Sequence, residues 1–199
     1  MPKVTEEHRA ARRQQIAAAA VRRFARSGFA GTSMADIIEE SGLSAGAIYG
    51  HFSSKDELVR LAVTEILDAR FVEVAEARRR DPLPSPGEVV GLLIAGMTEQ
   101  VGELQLLLQI WGQIPVNPEL ATVATAIGER VTGMFTDYLT EWFASARGVD
   151  ADRAAALARR YASLYIGLVH GCITQSALFP GFDRAAYLAA IDAIEPRID

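Results

Sequence analysis

Tyr49, His51 and Lys55 lie in the stretch SGLSAGAIYGHFSSKDEL, Ser41 to Leu58, where a phenol, an imidazole and an ammonium follow a short run of small residues. Their hydroxyl and N–H groups are the donors that hold phosphate oxygens. Beside them Ser44, Ala45, Gly46, Ala47 and Gly50 form a face of small side chains, which lets a helix backbone come close to a partner surface. Helix starts at Ser33 and Lys55 add free N–H groups and the positive end of a helix dipole, both of which favour an anion. Catalytic chemistry has less to work with. The three histidines, His8, His51 and His170, fall in an arm, a short exposed helix and a two-sided helix, and no phosphate loop or nucleophile elbow occurs. His170 and Cys172 are two apart on a helix and point to different faces, so they make no metal pair. The expectation is therefore no enzyme, no catalytic residue, no metal and no cofactor.

Charge is distributed unevenly. The chain of 199 residues carries a formal charge of −5, yet residues 1–31 hold Lys3, Arg9, Arg12, Arg13, Arg22, Arg23 and Arg26 against only Glu6 and Glu7, a local +5 that leaves −10 for the rest. A basic head on an acidic body is what a polyanion-binding end produces, and a solvated helix face reads equally well. Cys172 is the single cysteine, which excludes an internal disulfide and fits a reducing cytoplasm. The start lacks an apolar signal core, and the longest apolar run, Tyr161 to Ile173, is interrupted by His170 and falls short of the roughly 18 residues a spanning helix needs. No membrane partner is expected, and the location expected is cytoplasmic.

The elements that must position these groups read as helices throughout, with no alternating strand, so the fold class expected is all-α. A first helix from about Glu6 to Ser27 stops at Gly28. Ser33, with Asp36 three residues on, caps a second that ends at Gly42, and Ser44 caps a third of about two turns that buries Ile48 and Phe52. Ser54 and Glu57 form a capping box for a fourth, which opens at Lys55 and runs toward Arg80. PLPSPG, Pro82 to Gly87, is a boundary, and beyond it helices are expected over about Pro86–Gly102, Glu103–Ile114, Pro118–Ala146, Ala151–Leu178 and Arg184–Ala193. A helix ending at Gly42, a three-residue turn and a short helix capped by Ser44 has the spacing of a helix-turn-helix, whose second helix enters the DNA major groove. Any helical hairpin in a bundle can share that spacing.

GFAGTSMADIIEESGLSAGAIYGHFSSKDEL, Gly28 to Leu58, resembles the DNA-binding signature of the TetR/AcrR family of one-component transcriptional regulators. The shared features are Gly28-Phe29, Thr32-Ser33, Ile37, Gly42-Leu43-Ser44, Gly46, Ile48-Tyr49, His51-Phe52, Ser54-Lys55 and Leu58, covering the first third of the chain. The resemblance implies a three-helix DNA-binding domain over residues 1–60, with a connecting helix continuing to about 80. It implies a helical effector-binding and dimerisation domain over 81–199. It further implies that Thr32, Ser33, Tyr49, His51 and Lys55 hold the DNA backbone, that Ser44, Ala45, Ala47 and Gly50 face the groove, and that Gly46 permits close approach. Family members often carry a hydroxyl residue where Ala47 stands and a large side chain where Gly50 stands. With no long donor on this helix, an arm carrying Lys3 and Arg9 is expected to share the reading, in a narrow minor groove.

For the body, Trp111, Phe135, Tyr138, Trp142 and Tyr165 are candidates to line a pocket for a small, largely apolar effector, with Gln113, Gln109 or Gln175 as polar contacts; core packing explains each aromatic as well. The helix Ala151 to Leu178 is apolar on nearly all sides. Its face with Ser163, Gly167, His170, Gly171 and Thr174, together with Tyr187, Leu188, Ile191 and Ile194, is the candidate homodimer interface, the alternative being a central core helix. The leading expectation is a repressor that binds an inverted repeat in double-stranded DNA as a dimer and is released by an effector. A helical protein-protein adaptor, or an enzyme without a recognisable catalytic motif, are the rival readings.

Overall fold

The computed structural model describes residues 6–101, 104–194 and 196–198. Lys3 of the expected arm, and the expected helix limits Gly102 and Glu103, lie outside them. The described residues form nine α-helices and one 3-10 turn: α1 (Glu6–Ser27), α2 (Met34–Ser41), α3 (Ala45–Tyr49), α4 (Lys55–Ala77), α5 (Pro86–Val101), α6 (Gln105–Gln113), the 3-10 turn Ile114–Val116, α7 (Pro118–Arg147), α8 (Ala151–Leu178) and α9 (Arg184–Asp192). No strand occurs among them.

Local chemistry sets the breaks. Gly28 and Gly42 take φ of 73° and 67°, the left-handed conformation that a residue without a Cβ adopts at no steric cost, and each ends a helix. Ser33 and Asp36 make a reciprocal capping box at α2, and Ser85 and Glu88 do the same at α5, through bonds of 2.7 and 3.1 Å. The box expected from Ser54 and Glu57 differs. Ser54 Oγ accepts from the Glu57 amide at 3.2 Å, but the Glu57 carboxylate reaches back to the amide and hydroxyl of Ser53. The helix limits expected by sequence stand within a residue or two, except that α4 stops at Ala77 rather than near Arg80.

In the head, α1 lies across α2 and α4, and Ile16, Ala20 and Phe24 of α1 meet Ile37, Ile48 and Phe52 in a sealed core. Five residues of α3 cannot hold a helix by backbone bonds alone, so its position comes from burial of Ile48 and Phe52. α4 serves both ends of the molecule: it packs on α1 in the head and on α5 and α7 in the body. α7 and α8 form the most extensive pair, and α9 folds back on α5 and α8. No helix among the described residues is long and apolar enough to cross a membrane.

Candidate nucleic-acid interface and inner cavity

Because Ile48 and Phe52 are turned inward, the opposite side of α3 is turned outward. Ser44, Ala45, Gly46 and Gly50 are exposed, Ala47 is half-buried, and the Tyr49 ring stands 54% exposed at the helix end. Arg9 and Ala10 of α1 face Gly46, Ala47, Gly50 and His51 across a groove. Arg13 closes the floor of that groove: its guanidinium donates to the His51 carbonyl at 3.1 Å and lies 4.6 Å from the centre of the Phe52 ring, which ties α1 to the end of α3. The Ser44 hydroxyl accepts the Ala47 amide at 3.2 Å and so serves first as the cap of α3.

Two residues expected on the phosphate backbone have side chains bonded within the protein. Thr32 is buried and its hydroxyl donates to the Gly28 carbonyl at 2.7 Å. The Lys55 ammonium donates to the carbonyls of Phe29 and Thr32 at 2.8 and 3.0 Å and sits 4.1 Å from the centre of the Phe29 ring. Both groups fasten the turn between α1 and α2 to the start of α4. The anion site expected at Ser33 is filled from within, since the Asp36 carboxylate takes the Ser33 amide and hydroxyl at 2.7 Å each. Those two bonds, with the Arg23 guanidinium, hold the Asp36 carboxyl below its usual range.

Much of the positive head is also internal. Arg23 pairs with Asp36 at 2.9 Å, and Arg22 and Arg26 both pair with Glu40, so three of the seven basic groups bind α1 to α2. The acids of α2 at helical spacing carried that signal, and a charge count over residues 1–31 stopped short of them. Arg9 remains exposed at the groove rim.

The body holds two adjoining lobes of about 320 and about 140 Å3, the first between α4, α6, α7 and α8 and the second reaching α5 as well. Trp111 lines both and Phe135 lines the inner one. Tyr138, Trp142 and Tyr165 are buried away from both lobes, and Gln113 lines neither. The Tyr138 hydroxyl donates to the Pro84 carbonyl at 2.5 Å, and Trp142 packs edge-on to Phe143. Burial pushes the Tyr165 phenol up to about 12. α7 offers the row Val123, Ile127, Val131 and Phe135, spaced four apart and aliphatic except for the expected Phe135.

The expected dimer face divides. Ser163 and Gly167 are exposed, with nothing near the position a Gly167 side chain would take. Thr174 and Leu188 are half-buried. Two others belong to the protomer itself: Ile191 is sealed in the core at 2% exposure, and Gly171 is covered by the hydroxyl of Tyr187. His170 is exposed and also lines the cavity, its ring 4.9 Å from Trp111. Desolvation there lowers the His170 pKa and favours the neutral imidazole. The cause for Ile191 and Gly171 is α9, which returns onto α5 and α8. Leu164, Leu178 and Phe179 are exposed on or beside the same α8 stripe.

Two hydrogen bonds join the cavity walls to the head. Gln109 of α6, expected at an effector, accepts the Phe29 amide at 2.8 Å instead, and Asn117 at the start of α7 donates to Asp56 of α4 at 3.0 Å.

Residues 16–62 match the family model described as "Bacterial regulatory proteins, tetR family". The HTH-type transcriptional regulator TtgR of Pseudomonas putida is 47% identical over 101 residues, 51% of this chain and 48% of that protein. The chain spans about a third to a half of the length of the curated relatives it matches. A TetR transcription regulator from Haloarcula marismortui superposes with a TM-score of 0.72 at 18% identity, covering 92% of this chain and 93% of that one. Salmonella enterica GusR superposes at 0.64 and 25% identity, covering 96% and 95%.

Proposed function

We propose that this chain, which belongs to the tetR family of bacterial regulatory proteins, is a transcriptional repressor that grips an inverted-repeat operator as a homodimer and lets go when a small molecule fills its cavity. Residues 1–60 are the DNA-binding unit, α4 leads away from it to Ala77, and residues 81–199 take the effector and the second subunit. The observation that carries the reading is the outward, small-residue face of α3, held by Ile48 and Phe52 and flanked by exposed Tyr49 and Arg9.

Such a helix enters a major groove closely but carries no Arg, Lys, Asn or Gln for bidentate base reading, so DNA shape and the α1 start must contribute. Arg9→Ala is expected to narrow the ratio between affinity for a selected site and for scrambled DNA. Tyr49→Phe removes a phosphate donor and weakens both by about the same factor, roughly fivefold for one hydrogen bond. Fluorescence anisotropy on both DNAs at one fixed salt concentration tests this. An unchanged ratio in Arg9→Ala removes that residue from sequence reading, and no salt-sensitive DNA binding at all removes the function.

Dimerisation is supported by the exposed stripe of α8, where Leu164, Gly167, Leu178 and Phe179 present apolar surface to water. Two short reading helices related by a two-fold axis match two half-sites. Sedimentation at micromolar concentration should give a dimer that Gly167→Arg dissociates. A monomeric wild-type protein, or a protected site without a dyad, overturns this part. Release works through differential fit: an effector that favours one arrangement of α6 shifts the head through Gln109 and Phe29.

A further inference from the structure

The geometry points to an amphipathic organic acid as the molecule that fills the cavity, its apolar body among Trp111, Ile127, Val131 and Ile166 and its carboxylate on Arg70. This rests on the effector reading above and gives that site its ligand class.

Arg70 lies on α4 at the wall of the inner lobe, 6% exposed. Its Nη2 donates to Glu73 at 2.5 Å, while Nε and Nη1 are buried without a hydrogen-bond partner. A guanidinium has five N–H groups in one plane, so the three on Nε and Nη1 are unused in an apolar interior, where an open donor is costly. The fold has made room for it. A Cβ on Gly96 of α5 would overlap the guanidinium, so the helix opposite is cut back to backbone where the charge lies.

Glu73 does not complete the arrangement. It stands 32% exposed, holds Arg70 through one oxygen, leaves the other without a partner and lines neither lobe. Arg70 lines the inner lobe and Glu73 does not, so the cation is the nearer charge to whatever fills it. The ionisable residues lining the two lobes are Arg60, Arg70 and His170, and neither aspartate nor glutamate is among them. An amine brought inside finds no counter-ion. A carboxylate finds a guanidinium of opposite charge with unpaired donors. The remaining lining is aliphatic and aromatic, which suits an unbranched or aromatic body and excludes a sugar or nucleotide.

The test is calorimetric titration of the full-length protein, without DNA, with decanoate, decanamide and decylamine near neutral pH. Decanoate is expected to bind about tenfold or more tightly than either of the others. Arg70→Gln should remove that preference while leaving the amide's affinity nearly unchanged, and Arg60→Gln should keep it. Glu73→Gln, a change at a partly exposed residue, should widen it by freeing the guanidinium, and it tests the inference even if Arg70→Gln fails to fold. Equal affinities, a preference for the amine, no binding of any of the three, or a preference that survives in Arg70→Gln overturns the assignment. A protein that binds its operator yet refuses decanoate loses only this ligand class. One that takes decanoate on Arg70 yet never binds DNA loses only the repressor function.

Discussion

Lys55→Ala is expected to lower the stability of the head by about 2–3 kcal/mol, and the loss of DNA affinity that follows will track unfolding rather than a lost phosphate contact. The ammonium answers two carbonyls and the Phe29 ring at once, and those groups sit in the turn that carries the chain from α1 to α2. Removing it leaves the Phe29 and Thr32 carbonyls without their donor and loosens α4 from the turn. The buried Phe29 ring, which also packs on Phe24 at 5.5 Å, then has one face uncovered. Urea denaturation followed by circular dichroism reads the stability, and DNA binding measured well below the midpoint reads the contact. A variant with an unchanged midpoint and weakened DNA binding would return Lys55 to the phosphate backbone and refute the clamp.

Gln109→Ala is expected to leave decanoate binding and DNA binding each close to wild type while cutting the effect of one on the other. Coupling between sites in proteins commonly amounts to a factor of about 5–150, and here the direct connection is a single bond from the cavity helix α6 to the Phe29 amide. Gly28 stands against the same side chain, its absent Cβ leaving the space that the Gln109 amide occupies. The variant should bring the ratio of DNA affinities, without and with saturating decanoate, to within about twofold of unity, or to a value that Asp56→Ala in the same chain completes. Asp56→Ala removes the second tie while sparing the Asn117 cap of α7, whose side-chain oxygen holds the Glu119 and Leu120 amides. An unchanged ratio in the double variant means that the head senses the cavity through α4 alone.

Sequence by itself determined what depends on neighbours along the chain. The helices, their caps at Ser33, Ser44, Asn117 and Asp150, their stops at Gly28, Gly42 and Gly148, and the outward small face of α3 are set by bonds within a few residues, so their signals lie within a few letters. The family signature sits in that same local stretch. Which of two possible partners a polar or aromatic side chain takes is a different matter, because both lie far away in sequence. Lys55 meets carbonyls 26 and 23 positions distant, Gln109 an amide 80 away, and Tyr138 a carbonyl 54 away. Tertiary structure alone decided that Thr32 and Lys55 are fasteners, that Tyr138 and Trp142 are core, and that His170 turns to Trp111. It also brought Arg70 opposite Gly96, two positions with nothing local to connect them, and left a buried guanidinium with unpaired donors at the wall of an apolar chamber. Helical periodicity tells which face of a helix is buried, but two buried faces look alike until the helices are docked and one of them meets a void.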